Sequence, residues 1–402
     1  MMKKFFCYLM MLLICWAPSV GAADLAGVEI HGFLSQGLLW SDKNSYFSAD
    51  TEDTSFQFNE LGINFGKNLT DQLRMGMQFF SRDLGRTGNN EVVIDWAYGD
   101  YRWKDWLGLR VGLVKMPHGL YNETRDQDMI RTSILLPQSV YPEMERDYYT
   151  RMWGGEIYGN IFAQAIGNIS YKFLVGTYNP DPDTSGLAVQ VAGAGYMEIE
   201  DFNHGIQYSA GLIWETPLDG LRVGATGWIM NDAGADMRMH YEFDPSVPSG
   251  SVTNLEVKRW ATVYSIEYIW ENLRLTAEYR REHTENRWAD LAFFNSEVDA
   301  EGYYVGAGYR FADWLEAGTY YSVFYPDRDN RDGDIYNPLW EKDFQAWQKD
   351  FALSLRFDIN EYWLLKLEGH VMDGAATLLS SDNPDGYEQH DFLFAAKVTF
   401  NF

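Results

Sequence analysis

Along most of the chain, hydrophobic and polar residues alternate with a period of two. The segments 72–82, 220–231, 273–284 and 298–312 each carry aliphatic or aromatic residues at every second position, with mainly Arg, Thr, Glu, Gln or Gly between them. Successive side chains of a β-strand point to opposite faces, so this pattern predicts strands with one apolar and one polar face. A soluble β-sandwich would alternate in the same way, and the connections must separate the two architectures.

The connections alternate between short polar turns and longer segments rich in Asp, Asn, Gly and Pro. Aromatic residues flank many of the short turns, as Trp103 and Trp106 do around one of them. Short turns at one end, long loops at the other and aromatic residues at the interface level are typical of an outer-membrane β-barrel. Closure also leaves no unpaired strand edge in the lipid. The predicted short turns are 68–72, 104–105, 167–168, 216–220, 271–272, 312–313 and 360–361.

The pattern predicts an all-β fold, an antiparallel up-and-down transmembrane barrel of about sixteen strands in a single domain, 24–402. We expect the short turns on the periplasmic side and the long loops on the extracellular side. An even number of strands brings both chain ends to the short-turn side, as in bacterial barrels. The predicted strands are 28–39, 55–67, 72–82, 90–103, 106–116, 153–166, 169–178, 204–215, 220–231, 256–270, 273–284, 298–312, 314–325, 346–358, 362–372 and 389–402.

The first residues have the form of a secretory signal peptide. Two lysines precede an apolar run at 5–17, and small residues follow it, so we expect cleavage after Ala22 or Ala23 and a signal peptide of 1–23. The apolar run is too short for a membrane anchor. Both cysteines of the chain lie in this segment, and the mature protein is therefore expected to have neither a disulfide nor a thiolate metal site.

Composition narrows the classes of function. The aromatic share is 16%, which excludes long disordered regions. The net charge of −26 argues against a nucleic-acid partner, because phosphate binding needs a basic surface. The expected partners are outer-membrane lipid, lipopolysaccharide and small hydrophilic solutes. The seven histidines show no metal-ligand spacing, and no cofactor or metal is expected.

The C-terminal strand carries the most specific signal. Its apolar face is formed by every second residue from 392, and it ends with Phe400 and the last residue, Phe402. This resembles the C-terminal strand of Gram-negative outer-membrane proteins, which the barrel assembly machinery recognises. The resemblance implies that Phe400 and Phe402 form an assembly signal.

The longest predicted loop, 117–152, follows the fifth strand and carries a second resemblance. Lys115, Pro117 and Gly119 form a Lys-x-Pro-x-Gly stretch at the end of that strand. Together with the chain length, the hairpin count and the terminal Phe, this resembles the Gram-negative outer-membrane porins with sixteen strands. The resemblance implies a third loop that folds into the barrel and constricts the pore, a water-filled channel for small hydrophilic solutes or ions, and a homotrimer.

Charged residues of this loop are the candidate pore constriction. A barrel of this size leaves an open lumen, so an inserted segment must provide selectivity. One interpretation is that the charges sort solutes by sign and size; the other is that they pair among themselves and hold the loop against the wall. The candidates are Glu123, Arg125, Asp126, Asp128 and Arg131.

A second candidate feature is a basic cluster on the lumen wall. By alternation, eight basic side chains point inward, and each lies close to a short turn or to the C-terminus. They could form a positive inner vestibule that draws anions, or they could balance nearby acids in solvated wall positions. They are Arg74, Arg110, Arg222, Arg274, Arg310, Arg356, Lys366 and Lys397.

Two other classes of function stay open. A barrel can sheathe a partner such as a cytochrome, although such sheaths resemble larger barrels. An outer-membrane enzyme would need Ser and His at the same wall level, and the nearest pair, Ser170 and His204, is expected at opposite strand ends. We therefore expect no enzyme. The acidic segment 327–334 does not fit an EF-hand register, since Arg328 occupies the first ligand position. The transported solute is not predicted.

Overall fold

A computed structural model describes residues 27–402 except 164, 179, 204, 243, 338 and 339. The predicted signal peptide, its cleavage site and His204 lie outside the described residues. Seventeen strands form one sheet. They are β1 Glu29–Ser41, β2 Phe58–Asn68, β3 Leu73–Leu84, β4 Val92–Lys104, β5 Leu107–Lys115, β6 Arg151–Ala163, β7 Gly167–Thr177, β8 Met197–Asn203, β9 Ile206–Glu215, β10 Leu221–Met239, β11 Val252–Trp270, β12 Leu273–Trp288, β13 Ser296–Ala312, β14 Leu315–Tyr325, β15 Gln348–Asp358, β16 Trp363–Gly374 and β17 His390–Asn401.

The sheet closes into an antiparallel barrel of sixteen wall positions, because two of the strands share one position. β9 pairs with the first half of β10 and β8 with its second half, so the two occupy the same place in the ring. The ring closes where β1 pairs with β17, from Phe33 opposite Asn401 to Ser41 opposite Leu393. The predicted fold class and the sixteen-strand count are therefore confirmed.

Seven short turns and eight long loops connect the wall, and we number the loops L1 to L8 in chain order. The predicted turn at 167–168 was wrong by a few residues: those residues begin β7, and the described turn residues before it are 165–166. β8 was not predicted, and β10 and β11 extend beyond their predicted ends at 231 and 256. The loops are L1 42–57, L2 85–91, L3 116–150, L4 178–196, L5 240–251, L6 289–295, L7 326–347 and L8 375–389.

Helices occur only as short segments among the described residues. L3 contains α1 Arg146–Tyr149 and L4 contains α2 Gly186–Gly193. No helix in the part of the chain that the structure describes combines the length and the apolar character needed to cross a membrane. The 3₁₀ turns are Asn122–Thr124, Asp128–Ile130, Glu143–Glu145, Ala292–Phe294 and Asp343–Ala346.

The two faces of the wall differ as the alternation predicts. Apolar side chains such as Val111, Leu212 and Val305 are exposed on the outer surface, while Glu156 and Glu278 are buried on the inner one. The outer face suits a hydrocarbon solvent, and the inner face surrounds polar groups, as in barrels with an aqueous lumen. Inward side chains of several strands, among them Glu278 and Glu368, contact L3.

Candidate pore constriction

L3 lies inside the barrel and crosses from one side of the wall to another. The backbone N–H of Leu120 donates to Glu278 Oε1 of β12 at 2.9 Å. Farther along, the N–H groups of Ile134 and Leu135 donate to the two carboxylate oxygens of Glu368 on β16, both at 2.8 Å. β12 and β16 are separated by three wall strands, so L3 spans a large part of the lumen.

Asp128 is the centre of one ion cluster that fixes L3 to the wall. Its carboxylate lies 2.8 Å from Lys397 Nζ and 3.5 Å from Lys366 Nζ, and both lysines are wall residues. Arg131 of the same loop adds a third cation at 3.2 Å. All four side chains are buried or nearly so. Buried charges are tolerated only when they are paired in this way.

A second cluster contains Asp126 and Arg125. Lys115 Nζ lies 2.6 Å from Asp126 Oδ2, and Arg146 pairs with the other oxygen of the same carboxylate. Arg125 Nη2 lies 2.6 Å from Glu143 Oε1. Because Arg146 belongs to α1 and Lys115 to the end of β5, the cluster joins the beginning and end of L3 to each other.

Three carboxylates of L3, those of Asp126, Asp128 and Glu143, lie outside the membrane-spanning strands and have a lowered pKa, which favours their charged form. Burial raises the pKa of Glu143, but the charges of Arg125, Arg146 and Arg82 outweigh burial and lower it to about 2. Burial opposes ionisation of Asp126 and Asp128 as well, and the adjacent cations lower both pKa values. Opposite charge at short range favours the ionised form and here overcomes desolvation.

The five predicted constriction residues therefore fall into two groups. Arg125, Asp126, Asp128 and Arg131 are at most 8% exposed and are occupied by ion pairs. Glu123 differs, because its side chain is 36% exposed and forms its ion pair with Lys172 of β7 at the edge of an open space.

That open space is a cavity of about 730 Å³ between L3 and the wall on the short-turn side. Arg74, Arg110 and Arg222 line it, together with Glu123 and Lys172. A second space of about 550 Å³ lies on the long-loop side and is bordered by L2, L4 and the end of L3. Water-sized space therefore adjoins L3 on both sides.

The remaining members of the predicted basic cluster contact L3 or the acids near it. Arg274 donates to the carbonyl oxygen of Ile130 at 3.2 Å, and Arg356 donates to that of Met129 at 2.6 Å. Lys366 and Lys397 pair with Asp128, as described above. Arg310 pairs with Glu316 at 3.1 Å and Asp358 at 3.5 Å. The eight residues thus divide into three that border the cavity and five that support L3 or pair with wall acids.

At two ion pairs of the cavity the cation is more exposed than the acid, whereas at the Lys172–Glu123 pair the acid is the more exposed partner, 36% against 26%. Arg222 is 36% exposed and its partner Glu267 is 2% exposed, at 2.8 Å. Arg110 is 21% exposed and its partner Glu156 is fully buried, at 2.9 Å. The carboxylates lie against the wall and the guanidinium groups lie toward water. At these two pairs the group that faces water is therefore the guanidinium, and at the first turn of L3 it is the carboxylate of Glu123.

Sequence reasoning missed Glu278 and Glu368, the acids that bind the backbone of L3. Glu278 also accepts hydrogen bonds from Tyr304 at 2.7 Å and Ser265 at 2.5 Å. Both acids occupy inward positions of their strands, so the alternation used for the basic cluster could have identified them. Their partners in L3 could not have been identified, because loop backbone contacts leave no periodic signal.

The other residues singled out from the sequence are Phe400 and Phe402 at the C-terminus and Ser170 of β7. The backbone N–H of Phe402 donates to the carbonyl oxygen of Gly32, and Gly32 N–H donates back to Phe402, each at 3.0 Å. The Phe400 ring centroid lies 4.9 Å from that of Trp363. Ser170 donates a hydrogen bond to Asn160 at 2.6 Å. The C-terminus thus closes the barrel at the short-turn side.

Several solved outer-membrane barrels have a similar fold. The outer membrane channel DcaP of Acinetobacter baumannii is 11% identical, with a TM-score of 0.56, over 95% of this chain and 100% of that one. OprB of Pseudomonas putida is 14% identical, with a TM-score of 0.55, over 94% of each chain. An anion-selective porin from Comamonas acidovorans is 11% identical, with a TM-score of 0.54, over 93% of this chain and 99% of that one.

The chain has the fold of the Gram-negative outer-membrane porins. No protein-family profile and no curated protein matches the sequence, so the likeness is one of structure. The porin fold agrees with the location predicted from the sequence, the outer membrane of a Gram-negative cell.

Proposed function

We propose that this porin-fold barrel is a passive channel for small hydrophilic solutes, with a preference for anions. The observation that carries the proposal is the cavity beside L3, where Arg110 and Arg222 face water and their carboxylate partners are buried. Charged groups that line a pore set its selectivity, and exposed groups act more strongly than buried neutralised pairs. The anion-selective porin of similar fold supports this choice.

Within this proposal, L3 has two parts. Its buried ion pairs, including those of Arg125, Asp126, Asp128 and Arg131, hold the loop in place. Glu123, with Lys172, is the part of the predicted constriction that a solute can reach. The passage we propose runs past Glu123, between the first turn of L3 and the wall.

Our proposal for membrane assembly rests on the C-terminal strand, as in the sequence analysis. Phe400 and Phe402 are the proposed signal for the barrel assembly machinery. We propose a homotrimer, which is supported by a trimeric form of an outer membrane protein of Vibrio cholerae with the same fold, 10% identical, at a TM-score of 0.51. A sheath for a partner protein is less favoured, because L3 occupies the lumen that such a partner would have to enter.

The test is electrical recording from purified protein in planar bilayers. We expect stepwise conductance increments in KCl, and under a salt gradient a reversal potential that indicates preference for chloride over potassium. Absence of conductance from folded, heat-modifiable protein would contradict a channel. A cation preference would contradict the role given to the arginines while leaving the channel intact.

A further inference from the structure

Toward their long-loop ends, β10 and β11 carry apolar side chains on the inner face of the wall and polar side chains on the outer face. In the half of β10 nearer the short turns, the apolar side chains of Val223 and Ile229 are exposed on the outer face. A bulge between Met230 and Ala233 inserts one extra residue relative to β11. A shift of one residue exchanges the two faces of a strand, so the apolar residues of β10 beyond the bulge turn inward, while β11 keeps its register and carries Leu255 and Val257 on its inner face. We call this upper part, 233–239 of β10 and 252–258 of β11, the crown.

Apolar side chains of the crown are buried inside the barrel and polar ones face outward. Ala235 and Met237 are 4% and 2% exposed. The outward Asp236 lies between them on β10, and the outward Glu256 lies on β11 opposite Gly234. A wall that borders a purely aqueous lumen would be polar on its inner face. The inner face of the crown therefore faces something other than bulk water.

Part of that face is covered by L4. Ala188 of helix α2 belongs to one buried apolar cluster with Ile199 and Phe202 of β8 and Met237 of β10. The helix is tied to L3 where the N–H of Gly186 donates to Asp147 Oδ2 at 3.1 Å. L4 thus forms one side of an enclosure whose other side is the crown.

A cavity of about 350 Å³ remains between α2, the crown and the upper part of β13. Three aromatic rings form a row along it: the centroids of Tyr148 and Tyr178 are 5.5 Å apart, and those of Tyr178 and Phe202 are 6.4 Å apart. Val298 and Ala300 of β13 complete the apolar lining. Small-molecule sites are typically concave, mostly apolar and of about this volume, roughly 300–1,000 Å³.

The floor of the cavity is polar and carries balanced charge. Arg259 Nε donates to Glu282 at 2.6 Å, and Arg259 Nη2 donates to Glu145 of L3 at 2.5 Å. Arg280 pairs with the same two acids. Two guanidinium groups thus meet two carboxylates. Glu145 is the most accessible member that lines the cavity, with 26% of its side chain exposed against 12% for Arg259.

We propose that this cavity is a binding site for small uncharged molecules with an aromatic or alicyclic body and a hydroxyl group. The aromatic row and the crown would take the ring, since offset and edge-to-face contacts with aromatic side chains favour flat apolar bodies. Glu145 would accept the hydrogen bond of the hydroxyl. The neutral floor gives no net attraction to an ion of either sign, which would have to lose its hydration shell to enter.

The position of the site deepens the proposed channel function, on which it rests. The cavity lies at the long-loop ends of β10, β11 and β13, and Glu145 of L3 forms part of its floor. A molecule bound there would stand at the extracellular entrance, before the charged passage at Glu123. The cavity would thus be an entry site for weakly polar cyclic solutes, in a channel whose inner cavity is lined by Arg74, Arg110 and Arg222.

Binding can be measured with 4-fluorobenzyl alcohol by fluorine NMR on the full-length mature protein in lipid nanodiscs. Ala300→Phe and Val298→Phe each fill the cavity from β13. Ala307→Phe is the matched control, because Ala307 lies on the same strand with its side chain on the lipid face, opposite Leu275. Partition of the probe into lipid is common to all samples, so the difference between variants reports the site.

We expect saturable binding to wild type and to Ala307→Phe, and binding weakened about tenfold or more by either filling variant, because an overpacked site has no room for the probe. Probe with an added charge, 4-fluorobenzoate or 4-fluorobenzylammonium, should bind more weakly than the alcohol, and 2-fluoro-2-deoxyglucose should not compete. Heat-modifiable electrophoretic mobility identifies the folded samples. Two filling variants are used so that the test stands even when one of them does not fold.

Equal binding to wild type and a folded filling variant, or no saturable binding to wild type, would overturn the site. Tighter binding of either charged probe would overturn the assigned ligand class. KCl conductance of the wild type, measured separately, tests the channel itself: a silent protein that binds the alcohol would refute the channel and leave the site, and a conducting protein that does not bind it would do the reverse.

Discussion

The same chemical pair, a basic side chain with a carboxylate, occurs in two regions of the lumen with opposite exposure. In L3, Asp128 and its three cations are buried against the wall. In the short-turn cavity, Arg222 is 36% exposed over a buried Glu267. Buried pairs contribute geometry, because breaking one leaves an uncompensated charge, whereas exposed groups contribute a field that solutes experience. Four variants, one of them a double substitution, test this contrast.

The largest effect is expected for Asp128→Asn. The amide keeps the size of the side chain but removes the charge shared by Lys366, Lys397 and Arg131. Loss of one partner from a buried ion cluster costs about 3–5 kcal/mol. We expect the guanidinium unfolding midpoint of the folded barrel to fall sharply. Asp313→Asn, in an exposed short turn, is the control, and an equal midpoint for both variants would show that the cluster does not hold L3.

A smaller loss is expected for Glu368→Gln. This change removes the charge that accepts the N–H groups of Ile134 and Leu135, and hydrogen bonds to charged groups contribute about 1.5–3 kcal/mol. Amide hydrogen exchange at Ile134 and Leu135 should accelerate about tenfold or more. Glu361→Gln in an exposed turn should leave it unchanged. Unaltered exchange in Glu368→Gln would mean that L3 is anchored elsewhere.

Arg74→Gln combined with Arg222→Gln should alter selectivity with little effect on stability. Arg274 stays beside Glu267, so no buried acid is left without a cation. A water-facing charge contributes about 1 kcal/mol or less at a few ångströms, which corresponds to a roughly two- to fivefold fall in the chloride-to-potassium permeability ratio. Reversal potentials measure it. Lys258→Gln with Arg287→Gln, on the outer face, is the control, and equal shifts in both would exclude a local effect.

The smallest effect is expected for Glu123→Gln. The pair with Lys172 is partly exposed, and such pairs contribute less than about 1 kcal/mol to stability. Removing its negative charge should increase chloride preference modestly, opposite in sign to the arginine variants. Reversal potential again measures it, with Glu256→Gln on the outer face as control. A shift toward cations would place Glu123 away from the passage.

The sequence by itself determined the wall. Each strand has lipid on one face and a polar lumen on the other, and these two environments determine the residue type at alternate positions. The alternation, the short turns and the flanking aromatic residues therefore specified sixteen strands. The same alternation put Arg110 and Arg222 on the polar face, where their side chains lie beside the cavity. The length of the third connection also marked L3 as the unusual loop.

The role of the L3 charges and the orientation of the crown side chains depend on distant partners, and only the tertiary structure decided them. The charges of L3 could be read equally as a filter or as an anchor until Asp128 was found between Lys366 and Lys397, more than 200 positions away. Strict alternation would have placed Ala235 and Met237 on the outer face. The bulge before Ala233 turns them inward, since one extra residue reverses every side chain beyond it. The β10 side of the crown cavity depends on that single local change, which strict alternation does not predict.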